Sequence, residues 1–143
     1  MKYVGNFIHL IPQKLINEME NYPVKSSIDD EEFHEKFQTP PEVTLPESIF
    51  NTVCGIWFAK HPPGSGVPFH KDDYDEYEHL ELKRFFMFLY DWQPGHIFLY
   101  DETKTIENYV AGDTYEMTDI HCLHAACNIS NSPRITMQVL SCL

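Results

Sequence analysis

The spacing of apolar positions changes character about a third of the way along the chain. Up to residue 52 the apolar residues fall in small groups at helical intervals. Leu15, Ile16 and Met19 recur at three and four positions within 12–20, behind Pro12, a residue suited to a first helical turn. Phe33 and Phe37 lie four apart in the acidic stretch 29–37, as on one face of a short helix. Thr39-Pro40-Pro41 must end that helix, because proline has no amide proton and collides with the preceding turn. One more helical turn is predicted within 45–52, begun at Pro46. Residues 1–52 therefore read as a helical and irregular N-terminal flank with too few apolar residues for a core of its own.

From residue 53 onward the pattern becomes short aromatic and β-branched runs split by turn residues. A strand is predicted at 55–60, followed by the turn-rich His61-Pro62-Pro63-Gly64-Ser65-Gly66. The run 84–92 is nearly all apolar, so both of its faces should be covered. Alternation puts Arg84, Phe86, Phe88 and Tyr90 on one of those faces. Gln93-Pro94-Gly95 turns the chain and 96–100 returns as a strand; further strands are predicted at 106–110, 114–117, 120–124 and 134–140. Short strands between regular turn signals predict a mainly β fold, a sandwich or barrel, with 1–143 as one domain.

Composition narrows the function classes. The chain has 143 residues, and ten Phe and eight Tyr favour strands and a packed pocket over a helical bundle. A formal net charge of −12 argues against strong nonspecific nucleic-acid binding. No stretch approaches the ~20 apolar residues of a membrane span. Residues 1–10 lack the long apolar run of a signal peptide, so a cytoplasmic protein is expected. Cys54, Cys122, Cys127 and Cys142 contain no Cys-x-x-Cys pair and read as small buried hydrophobes.

The first candidate chemistry is His70-Lys71-Asp72. In an extended segment residues i and i+2 share a face, so imidazole and carboxylate can converge on one ion. A second cluster, His121-Cys122-Leu123-His124-Ala125-Ala126-Cys127-Asn128, lies about fifty residues on, followed by Pro133-Arg134-Ile135-Thr136. Two imidazoles and one carboxylate on one face of a metal leave open positions, the donor set of non-haem ferrous oxygenases. Arg134, ten residues after His124, could pair with a distal carboxylate through its planar fork. Thr136 should face the same way. His121, three residues before His124, should point away on a strand, which favours His124 as the second imidazole. His9, His34, His61 and His79 read as surface or packing residues, and His96 as packing. The acidic run 72–78 reads as a solvated loop or a lid.

The stretch 57–139 resembles the 2-oxoglutarate- and Fe(II)-dependent dioxygenase superfamily, especially its small stand-alone members from phage and marine microbes. It is more loosely similar to prolyl-hydroxylase-like domains. The resemblance is carried by His70-Lys71-Asp72, the aromatic strand ending Leu89-Tyr90-Asp91-Trp92-Gln93-Pro94-Gly95-His96, Ala111-Gly112-Asp113, His124-Ala125-Ala126-Cys127-Asn128 and Pro133-Arg134-Ile135-Thr136. It implies a double-stranded β-helix (a jelly-roll or cupin-like barrel) with His70, Asp72 and His124 as metal ligands and Arg134 on the distal carboxylate of 2-oxoglutarate. Thr136 stands where many members have the serine of an Arg-x-Ser element. Tyr90 is a candidate for the cosubstrate, and Asn128 for the same pocket or for capping the following turn. Where prolyl hydroxylases carry a Gly-Gly-x-Thr turn, this chain has Gly95-His96-Ile97. The implied reaction uses Fe(II), 2-oxoglutarate and O2, hydroxylates a small molecule, amino acid or peptide side chain, and releases succinate and CO2. A homodimer could close so short a chain's pocket. Two other readings compete: a cupin-type metal-binding barrel without 2-oxoglutarate turnover, and a binding module with remnant ligands. Arg134-x-Thr136 favours the oxygenase, because a plain metal barrel needs no carboxylate clamp.

Overall fold

The computed structural model describes residues 1–24 and 31–143; the start of the predicted acidic helix, at 29–30, lies outside the described residues. Among the described residues, nine strands form two antiparallel sheets. The five-stranded sheet runs β1 (Lys2–Asn6), β7 (Asp113–Met117), β4 (Leu82–Phe88), β9 (Arg134–Cys142), β2 (Thr52–His61). The four-stranded sheet runs β3 (Ser65–His70), β8 (His124–Asn128), β5 (His96–Tyr100), β6 (Lys104–Thr105). This is a double-stranded β-helix. Among the described residues no helix is long and apolar enough to cross a membrane.

Alternation along the central strands explains both cores. On β4, Phe85 and Met87 point outward and Phe86 and Phe88 point between the sheets. On β9, Ile135, Met137 and Val139 join the outward cluster. The three helices cover that outer face: Leu15, Ile16 and Met19 of α1 (Gln13–Asn21), Phe33 and Phe37 of α2 (Glu31–Phe37), and Phe50 of α3 (Glu47–Phe50). The flank that could not form a core alone thus shares one with the sheet. Buried Lys60 crosses to α1 and donates to the carbonyls of Met19 at 3.0 Å and Tyr22 at 2.8 Å, satisfying the helix's C-terminal acceptors. The inner core, Phe86, Phe88, Phe98, Ile106, Tyr109 and Met117, packs between the sheets, and its Phe86 and Phe98 border the buried ionisable groups.

Several elements differ from the sequence expectation. The first residues are not irregular: β1 pairs with β7 across a bulge at Val4–Gly5. Residues 106–110 bury Ile106 and Tyr109 from a loop, with Asn108 at φ +58° breaking any ladder. The strand expected at 120–124 begins only at His124, because Asp119 holds a turn through its carboxylate and the amide of His121. The four cysteines, read as small buried hydrophobes, are only half-buried: Cys54 and Cys142 form a disulfide that ties β2 to the end of β9, and Cys122 and Cys127 are free.

Gly112 fixes the turn into β7. It sits at φ +92°, its amide donates to Phe88 at 2.7 Å, and its carbonyl accepts from Phe7 at 2.9 Å. A Cβ there would meet the backbone nitrogen of Ile8 and the side-chain oxygen of Asn6 at 2.5 Å. Gly112→Ala is expected to cost about 2–4 kcal/mol in urea unfolding; a loss under about 1 kcal/mol would mean that this turn can relax.

Candidate metal centre

Strand register brings together residues far apart in sequence. β3 pairs with β8 so that His70 stands directly opposite His124, after an irregularity between Val67 and His70. Pro68 has no amide to give the ladder, which suits it to that irregularity. Gly66 lets the two strands close up: a Cβ there would lie 2.7 Å from that of Cys127. Directly opposed residues share a face, and the two imidazole centroids are 4.3 Å apart. Asp72, just past the end of β3, places Oδ1 3.5 Å from Nε2 of His70 and Oδ2 3.4 Å from Nε2 of His124. One ligand atom from each of the three residues lies within 4.8 Å of the others.

Backbone carbonyls set the tautomers. The Nδ1–H of His70 donates to Pro68 at 2.8 Å, and that of His124 to Cys122 at 2.9 Å. Both Nε2 lone pairs are therefore directed at the carboxylate, the orientation that metal-ligating histidines share. Burial, opposed in part by the Cys122 carbonyl and assisted by Arg84 and His70, pulls the His124 pKa down to about 4, so this ring is neutral at pH 7. Three acceptors facing one another repel; the Arg84 guanidinium offsets the carboxylate's charge, but among the described residues neither imidazole lone pair has a donor of its own. With metal–ligand bonds of about 2.1 Å, neighbouring donors sit about 3 Å apart, a little closer than the 3.5 and 3.4 Å that separate Asp72 from the two imidazoles. The donor set fits a divalent ion with open positions.

The three residues line one wall of a cavity of about 190 Å³ between the sheets. β9 sends Arg134, Thr136 and Gln138 into it, β2 sends Trp57, Ala59 and His61, and β4 sends Arg84 and Phe86. Arg134 is 2 % exposed, and its Nε and Nη2 have no hydrogen-bond partner. Its Nη1 donates to Nδ1 of His61 at 3.4 Å, and its guanidinium lies 5.5 and 5.7 Å from the ring centres of Phe88 and Phe98. Burial lowers its pKa, with the Tyr109 hydroxyl pulling partly back up. A buried cation with free N–H groups facing a cavity is matched to an anion.

Of the other sequence candidates, Thr136 lines the cavity and is buried. Tyr90 does not reach it. The chain leaves the ladder after Phe88, the alternation stops, and Tyr90 packs on the outer cluster beside Glu20. Asn128 is consumed by the turn after β8: its amide donates to the carbonyls of His61 and Ser132 at 2.8 and 2.7 Å, and its oxygen accepts from Ser130. His121 sits in the preceding turn, edge-on to Tyr74, outside the cluster. In the acidic run, Tyr74 is buried and donates to Oδ2 of Asp72 at 3.4 Å.

Sequence reasoning missed Arg84. It is 2 % exposed and ion-paired with Asp72, and it donates to Oε1 of Gln138. Its guanidinium lies 4.4 Å from the Phe86 ring centre and 5.8 Å from that of Trp57. Burial brings its pKa down to about 9, so it is charged at neutral pH. The available signal was a lone cation in an apolar strand, which must be paired to be buried.

His61 and His34, read as surface or packing residues, also line the cavity. Burial first, then Arg134 and His34, lowers the His61 pKa to about 3. The unfolded ring takes up its proton near pH 6.5, while the folded ring stays neutral, so stability is present above that pH and is lost as pH falls toward 3. His61→Gln should flatten the fall in stability between pH 6.5 and 4 by roughly 2 kcal/mol, read from urea unfolding at each pH. An unchanged slope would place the acid-sensitive group elsewhere.

Among solved structures, the non-heme monooxygenase ThoJ in its nickel complex matches 66 % of this chain and 46 % of its own, at 17 % identity and a TM-score of 0.52. EvdMO1 matches 68 % of this chain and 29 % of its own, at 16 % identity and a TM-score of 0.52. A cupin protein from Bacteroides fragilis matches 85 % of this chain and 80 % of its own, at 14 % identity and a TM-score of 0.48. The matched stretch is less than half of ThoJ or of EvdMO1. The likenesses to ThoJ and EvdMO1 show the fold alone. No protein-family model matches the chain, and no curated protein matches it.

Proposed function

We propose that this chain is a non-haem Fe(II)- and 2-oxoglutarate-dependent oxygenase that hydroxylates a small molecule, amino acid or peptide side chain. One observation carries the reading. A single cavity holds three convergent lone-pair donors, His70, Asp72 and His124, and a buried guanidinium, Arg134, with unfilled N–H groups. The donors would hold the iron. Arg134 would take the far carboxylate of 2-oxoglutarate in a two-pronged contact, with the Thr136 hydroxyl beside it. The bound iron supplies the oxidation chemistry, with succinate and CO2 as coproducts. The protein's own part is to fix both imidazole tautomers, orient the cosubstrate between the donors and Arg134, and keep water out with Phe86 and Phe98.

The cavity is small, so the substrate reaches it from outside. A second hollow, of about 460 Å³ and lined by Glu31, His34, Glu35, Gln38 and Trp57, shares His34 and Trp57 with the cavity and is the natural approach. Anaerobic addition of Fe(II) with 2-oxoglutarate should produce a weak visible charge-transfer band, and air should then yield succinate. Metal uptake with neither band nor succinate would instead make this a metal-binding barrel that does not use 2-oxoglutarate.

A further inference from the structure

We infer that Arg84 makes the centre's affinity for its metal depend on a bound dianion. The inference rests on the reading of His70, Asp72 and His124 as ligands of a divalent ion.

Arg84 comes from β4, in the sheet opposite the one that carries His70 and His124. It reaches across the cavity to the only carboxylate in the donor set. It is also anchored there. Gln138, two positions along β9 from Leu140, the residue paired with Arg84, accepts from the guanidinium, while Phe86 and Trp57 lie against its faces. A side chain so enclosed has no open route into solvent.

The consequence is electrostatic. Two imidazoles, which bind a metal as uncharged rings, plus a carboxylate already paired with a guanidinium give a donor set of zero net charge. A divalent ion entering that set brings two positive charges into a cavity that also contains Arg134, and nothing among the lining residues balances them. A dianionic 2-oxo acid brings two negative charges, one carboxylate at the ion and the other on Arg134, and lowers the excess from three positive charges to one. The protein should therefore hold bare metal weakly and the metal–dianion pair tightly. By linkage, each ligand must raise the other's affinity by the same factor. Arg84 has a second effect in the same direction. It is paired with Oδ2 of Asp72, which would leave a single carboxylate oxygen free of the guanidinium for an ion. Arg84 is thus a positioning and charge-setting residue, touching neither substrate nor metal itself.

The experiment is a Mn(II) titration of the full chain, followed by the electron paramagnetic resonance signal of free Mn(II), with and without 2-oxoglutarate. In the wild type, 2-oxoglutarate should tighten Mn(II) binding strongly. Arg84→Gln removes the charge, and should tighten Mn(II) binding in the absence of 2-oxoglutarate by about tenfold or more, since a full charge a few ångströms from the ion is only partly screened. The coupling factor should shrink correspondingly. Arg84→Lys keeps the charge and should keep the coupling. If Arg84→Gln does not fold, Gln138→Glu tests the same point by drawing Arg84 away from Asp72, and should also tighten bare Mn(II). A purely structural Arg84 would give weaker binding in the neutral variant with the coupling unchanged, which overturns the inference. Wild-type protein that binds Mn(II) with no response to 2-oxoglutarate also overturns it. Wild-type protein that binds no Mn(II) at all removes the metal reading beneath it.

Discussion

Arg134→Met is expected to raise the melting temperature of the metal-free protein while weakening 2-oxoglutarate binding by about 100-fold or more. The two effects have one cause. Arg134 is buried between the rings of Phe88 and Phe98 with Nε and Nη2 unfilled, so the folded protein carries a desolvation cost that His61 and Tyr109 offset only in part. A methionine of comparable length removes that cost and keeps the packing; replacing a buried charge with an apolar side chain is stabilising by about 1–4 kcal/mol in comparable cases. The same unfilled N–H groups are what a carboxylate would occupy. Hydrogen bonds to charged groups contribute about 1.5–3 kcal/mol each, so losing a two-pronged contact accounts for the fall in affinity. Thermal unfolding and isothermal titration calorimetry read both numbers. A destabilised variant with unchanged 2-oxoglutarate affinity would show Arg134 to be a structural cation.

His124→Ala is expected to lower metal affinity by more than about 100-fold, the upper end of the effect seen when only a supporting contact to a ligand is lost. His121→Ala, three residues earlier, should leave it unchanged. The contrast matters because composition treats the two histidines alike, whereas the fold does not. His124 opens β8 opposite His70, while His121 lies in a turn against Tyr74. Asp72→Ala should match the loss of metal and also destabilise the metal-free fold by about 3–5 kcal/mol, since it strands Arg84 as a buried unpaired cation. Metal content after gel filtration separates the cases. Full retention in His124→Ala would overturn the assignment.

What the sequence revealed of this site was whatever could be read from spacing within one strand. His70 and Asp72 stand two apart, and Arg134 and Thr136 stand two apart, so each pair shares a face as soon as its segment is extended. The outer core was legible for the same reason, because Leu15, Ile16 and Met19 mark one face of a helix whatever it packs against. Tyr90 was misplaced because alternation was extended two residues beyond the point where β4 leaves its ladder. β1 was missed because Gly5 and the bulge beside it erase the period-two signal in so short a strand. Arg84 illustrates a different limit. Its face was read from the sequence, but its meaning depends on what stands opposite. That is Asp72 in the other sheet, and no pattern within one strand reports contacts across a barrel.

Crystals grown anaerobically with Mn(II) and 2-oxoglutarate, measured at a wavelength where manganese scatters anomalously, test the central claim most directly. One strong peak is expected, bound by Nε2 of His70, a carboxylate oxygen of Asp72 and Nε2 of His124, with the cosubstrate's far carboxylate against Arg134. A peak elsewhere, or density that leaves Arg134 without a carboxylate, would contradict it.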